Sequence, residues 1–180
     1  MLKLIQTLSQ CDNLFFTGWI LARAEIQVFN KASIFNNKLL VHRPTKSIMQ
    51  VIGKDTHDNI NQKLTVLLLL PKQTITKKDT KNIVNPLGTL ILKHQFTIEE
   101  IHNYISLSGD RNIIHQIKNP IVPGLYMLLL LQSVLKLTTL HWQVTFINPV
   151  FANDILYVYR KNNKIMAYVN AQNVFNIIEK

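Results

Sequence analysis

Residues 105–135 read ISLSGDRNIIHQIKNPIVPGLYMLLLLQSVL. An acid, an amide and an imidazole fall close together here, at Asp110, Asn112 and His115. A Pro-Gly step follows at Pro123-Gly124, and then a strongly apolar run over 125–135. Polar groups packed this densely before an apolar helix suggest a site rather than a linker. Asp110 and His115 are too far apart for one helical turn and too close to be independent. A tight turn containing Gly109 could aim both at one small object, such as a water molecule. Carboxylate and imidazole are a usual acid–base combination, because the carboxylate orients the ring and tunes it near neutral pH. The alternative is ordinary turn chemistry. Glycine then supplies positive φ, Asp and Asn supply local backbone bonds, and the histidine faces solvent.

The same residues resemble the signature of the MaoC-like (R)-specific enoyl-CoA hydratases and the related type 2 hydroxyacyl-thioester dehydratases. Ser108-Gly109-Asp110-Arg111-Asn112-Ile113-Ile114-His115 is similar to its first half, and Ile121-Val122-Pro123-Gly124 to its second. Phe96-Thr97-Ile98-Glu99-Glu100-Ile101 resembles the entry into the preceding helix. Phe146-Ile147-Asn148-Pro149-Val150 resembles the family's F-x-x-P-V segment. The resemblance covers about residues 86–180. It departs at Ile113, where the family usually has Pro, and at Pro123, where many members have His. The segment between His115 and Ile121 is also shorter than in many members.

The resemblance implies an α+β hotdog fold, a curved antiparallel sheet wrapped around a buried apolar helix. It implies reversible hydration of trans-2-enoyl thioesters to (R)-3-hydroxyacyl thioesters. The carrier would be coenzyme A or acyl-carrier protein, with no cofactor and no metal. Asp110 and His115 would be catalytic. Asn112, Gly124 and Leu125 would contact substrate, with the Gly124 N–H stabilising negative charge on the thioester oxygen. Two other readings stay open: a hotdog thioesterase, and a non-catalytic acyl-thioester-binding regulator or assembly subunit. Hotdog chains usually pair, so a homodimer is expected.

The N-terminal half is read from its pattern. Residues 1–10 place Leu2, Leu4, Ile5 and Leu8 on one helical face. Strand candidates follow at 20–29, 38–42, 47–52 and 63–70, with turns at Asn36-Asn37, Arg43-Pro44 and Asp58-Asn59. One helix and four strands suit a trimmed, non-catalytic hotdog half over residues 1–75, making a double hotdog; a β-rich extension is the alternative. Residues 72–86, KQTITKKDTKNIVNP, read as an exposed linker, centred on 76–85. In the second half the pattern predicts a strand over 87–96, a helix capped by Thr97 and stopped by Ser108-Gly109, and a buried helix over 124–137. Strands are predicted at 141–147, 155–160 and 164–179.

Composition bounds the rest. At 180 residues, with 47% hydrophobic and 17% charged residues, the chain suits a folded globular protein. The single Cys11 excludes an internal disulfide and agrees with a reducing cytoplasm. No apolar run approaches the ~20 residues of a membrane span. The net charge of +10 is concentrated in the first half and would speed the arrival of acidic partners, or simply be a solvated surface. The histidines at 42, 94, 102 and 141 show no metal-ligand spacing. No phosphate-binding glycine loop or helix-turn-helix pattern points to nucleotides or nucleic acid.

Overall fold

The computed structural model describes residues 1–11, 17–72 and 88–180. Its backbone is organised by one antiparallel sheet of nine strands. A helix α1 (Leu2–Ser9) precedes β1 (Ile20–Val28), β2 (Ile34–Arg43), β3 (Lys46–Lys54) and β4 (Ile60–Leu69). Then come β5 (Thr89–Gln95), α2 (Ile98–Ser108), a 3-10 turn (Ile113–His115) and α3 (Gly124–Val134). The chain closes with β6 (Leu140–Phe146), β7 (Ile155–Lys161), β8 (Lys164–Val169) and β9 (Gln172–Glu179).

The strand order is β2-β3-β4-β1-β6-β9-β8-β7-β5. It contains a repeat. From α1 onward a helix is followed by four strands ordered β1-β4-β3-β2; from α3 onward a helix is followed by four strands ordered β6-β9-β8-β7. The two copies meet where β1 pairs antiparallel with β6, Arg23 opposite Thr145 through Val28 opposite Leu140. β5 and α2 have no counterpart among the described residues of the first half. This is a double hotdog with its first half trimmed.

Period-two alternation puts one face of each strand into the core. Met49, Val66, Ala24, Val144, Ile177 and Ile165 pair in turn across β3, β4, β1, β6, β9 and β8. All six are buried. They form one transverse apolar row that joins the halves into a single core.

The helix signals act as the sequence predicts. Thr97 Oγ1 accepts from the Glu100 N–H at 3.1 Å, and the Glu100 carboxylate accepts from the Thr97 N–H at 2.8 Å. Gly109 ends α2 in the left-handed region, at φ 75°.

Two expectations need correction. Asn36-Asn37 is not a turn; both residues lie inside β2, opposite Ile52 and Val51. β2 is an edge strand exposed along most of its length, so burial leaves no alternation to read there. Asn37 instead caps α1, its Nδ2 donating to the Thr7 carbonyl at 2.9 Å. Helix α3 stops at Val134 rather than 137 and buries fully only Met127, Leu128 and Leu131. Half-buried Leu125 lines a cavity, Tyr126 stacks on Tyr104 of α2 at 4.7 Å, and Val134 is exposed. The expected linker lies outside the described residues, apart from Lys72.

Candidate active site

The polar turn is built by local bonds. Where Gly109 stops α2, the Asp110 N–H donates to Ser108 Oγ at 3.3 Å, and Asp110 Oδ1 accepts from the Asn112 N–H at 2.9 Å. One carboxylate oxygen thus closes the turn. The 3-10 turn follows, with the His115 N–H donating to the Asn112 carbonyl at 3.1 Å. It swings His115 back until Nε2 lies 3.6 Å from Asp110 Oδ2. The solvent-facing alternative fails, because the His115 side chain is only 8% exposed.

The ring is fixed from its other side. His115 Nδ1 lies 2.6 Å from the Ile121 carbonyl oxygen. A carbonyl can only accept, so Nδ1 carries the proton and Nε2 presents its lone pair. Ile121 is itself held by the segment that resembles F-x-x-P-V. The Val122 N–H donates to the Val150 carbonyl at 2.8 Å, and the Ala152 N–H to the Pro120 carbonyl at 2.9 Å. Buried Asp154 closes that segment by accepting from the Phe151 N–H at 2.9 Å.

Two acceptors, the Nε2 lone pair and Asp110 Oδ2, therefore face each other across a gap too long for a direct hydrogen bond. A molecule with two O–H donors, such as water, satisfies both. Burial holds the His115 pKa below its ordinary value, against the opposing pull of the Asp110 charge and the Ile121 carbonyl. The ring is neutral at physiological pH and able to take a proton.

Asp110 and His115 open into a cavity of about 410 Å³. Asn112, Gly124 and Leu125 line it too, so the five residues singled out in the sequence come together. Their parts differ. Both ends of the Asn112 amide are engaged by backbone: Oδ1 accepts from the Gly18 N–H at 2.9 Å, and Nδ2 donates to the Trp19 carbonyl at 2.7 Å. Asn112 is thereby a wall of the site rather than a free donor. Gly124 opens α3, whose N-terminus no side chain caps. It is also a packing glycine, since a Cβ there would lie 2.9 Å from the Phe146 ring and 3.0 Å from Leu21.

The sequence reading missed the far wall. Ile5 and Leu8 of α1, Trp19, Leu21 of β1, Met49 of β3 and Val66 of β4 complete the cavity. Nothing local marks them, since they read as ordinary core and lie 44 to 110 residues from the dyad in sequence. Among the described residues, no helix is long and apolar enough to cross a membrane.

No protein-family model matches the sequence, and neither does any curated protein. Solved structures do match. HtdX from Mycobacterium tuberculosis superposes with a TM-score of 0.69 at 13% identity, over 99% of this chain and 86% of that one. A MaoC-like dehydratase from Phytophthora capsici gives 0.60 at 14% identity, over 91% and 72%. An acyl-ACP thioesterase from Bacteroides thetaiotaomicron gives 0.55 at 9% identity, over 90% and 76%. The chain has the hotdog fold of the MaoC-like dehydratases.

Proposed function

We propose that the protein adds water reversibly to trans-2-enoyl thioesters, giving (R)-3-hydroxyacyl thioesters, or runs the reverse dehydration in fatty-acid metabolism. The observation that carries this reading is the pair of facing acceptors, His115 Nε2 and Asp110 Oδ2, 3.6 Å apart in the wall of a mainly apolar cavity. Water bound between them is oriented and loses a proton to the dyad as its oxygen attacks the β-carbon. Negative charge then moves onto the thioester oxygen, where the first N–H groups of α3 at Gly124 and Leu125 can meet it. The α-carbon takes a proton back from the dyad, which ends the cycle as it began. The two groups titrate as a pair, so the proton belongs to the dyad rather than to one member.

Residues 86–180 form the catalytic half on this reading, and residues 1–75 a non-catalytic half that walls the cavity. The thioester is carried by coenzyme A or by an acyl-carrier protein, in the cytoplasm, and the working form is a homodimer.

The likeness to an acyl-ACP thioesterase favours one second reading, in which the same water attacks the carbonyl carbon and releases a thiol. Crotonyl-CoA separates the two. Loss of the enone absorbance without thiol release supports hydration. Thiol release means a thioesterase, and neither signal means a binding subunit.

A further inference from the structure

The dyad chemistry uses Asp110 and His115, and Asn112 is spent on backbone. Ser9, also in the cavity wall, turns its hydroxyl back to the Ile5 carbonyl at 3.1 Å. Asn148 belongs to the same wall, and the dyad makes no use of it. Its amide is held at one end only. Nδ2 donates to the Asn173 carbonyl at 2.8 Å; a carbonyl can only accept, so the end facing it is the NH2. Oδ1 is left without a hydrogen-bond partner among the described residues. The backbone on either side is fixed. The Ile147 and Asn148 N–H groups both donate to the Val174 carbonyl, at 2.8 and 3.3 Å, and Pro149 follows.

The neighbours of Asn148 say where this spare acceptor sits. Two residues before it, the Phe146 ring lies against Gly124, 2.9 Å from where a Cβ would be. Two residues after it, the Val150 carbonyl accepts from the Val122 N–H at 2.8 Å. Residues 146–150 therefore run alongside residues 122–124, and Asn148 lies between the two contacts, beside the start of α3. On the hydration reading, that start receives the thioester oxygen.

The substrate's chemistry limits what an acceptor there can take. An enoyl tail has no hydrogen-bond donor, and the thioester group has none. The 3-hydroxyl of the product is a donor, but the dyad holds it. The next donor is the amide N–H two methylenes beyond the sulfur, in the phosphopantetheine arm shared by coenzyme A and acyl-carrier protein.

We propose, resting on the hydration reading above, that Asn148 is a specificity residue whose Oδ1 accepts a hydrogen bond from that amide N–H and so selects thioesters of a pantetheine arm. A wall acceptor left unpaired penalises a substrate that lacks the matching donor.

The test uses two crotonyl thioesters. One is the thioester of N-acetylcysteamine; the other is its acetate-ester analogue, in which an oxygen replaces the N–H. The natural chain should favour the amide at least ~10-fold in kcat/KM. Asn148→Leu, of similar size and without an acceptor, should shrink that preference to about twofold or less. Loss of the Asn173 bond, or of a contact to the 3-hydroxyl, falls on both substrates alike and leaves the ratio unmoved. Equal kcat/KM for amide and ester in the natural chain overturns the proposal with no variant needed. So does a preference that survives in folded Asn148→Leu. Crotonyl-CoA and crotonyl acyl-carrier protein share this amide, so both should lose the same factor in Asn148→Leu; the better substrate of the natural chain names the source of the arm. If no enoyl thioester is hydrated, the hydration reading fails and Asn148 is tested by binding alone. The Kd of unreactive butyryl-CoA should then rise at least about fivefold in Asn148→Leu. An unchanged Kd overturns the proposal.

Discussion

Asn112 Nδ2 donates to the Trp19 carbonyl at 2.7 Å, so one amide from the polar turn holds the entry to β1 in the other half. Its Oδ1 holds the neighbouring Gly18 N–H at 2.9 Å. The two halves are thus coupled at the site itself as well as through the sheet. Asn112→Ala should leave a part-buried N–H and C=O without these partners and cost about 2 kcal/mol in urea unfolding. A change below about 0.5 kcal/mol would mean that water replaces both bonds.

The polar turn was legible because its chemistry is local. Gly109 needed a left-handed conformation, Thr97 and Glu100 formed a capping box, and Asp110 closed a turn on Asn112. What could not be read were the long-range consequences. The sequence places His115 near Asp110, but only the pairing of 120–122 with 150–152 turns the Ile121 carbonyl toward Nδ1 and so decides the tautomer. The repeat of helix and four strands was legible in outline; edge strand β2 was legible only over 38–42, since an exposed strand carries no burial pattern. Met49 and Val66 became part of the site by sheet register, which no single strand encodes.

Gly124 illustrates how a position can serve two ends. A Cβ would lie 2.9 Å from the Phe146 ring and 3.0 Å from Leu21, so these side chains must shift to admit one. Gly124→Val should therefore cost about 1–3 kcal/mol of stability as well as activity. Adding Phe146→Leu should restore part of the stability, with a coupling of about 1 kcal/mol in a double-mutant cycle. Normal melting of the single variant would contradict this packing account.

The buried histidine makes a pH prediction. Burial lowers the His115 pKa below its unfolded value of about 6.5, so below that pH the unfolded chain binds more protons than the folded one. This group leaves stability unchanged above about pH 6.5 and reduces it as the pH falls toward the folded pKa. His115→Gln should show a shallower loss of melting temperature between about pH 7 and pH 5 than the natural chain. Parallel curves would mean that other groups govern acid unfolding.

The dyad is the centre of the account, and the rate of crotonyl-CoA hydration tests it most directly. Asp110→Asn and His115→Ala, each verified as folded, should lower kcat at least ~100-fold. The double variant should be little slower than either single one, because the two groups act as a unit on one water. A folded single variant that keeps near-normal turnover would contradict the assignment of Asp110 and His115 as the groups that activate water.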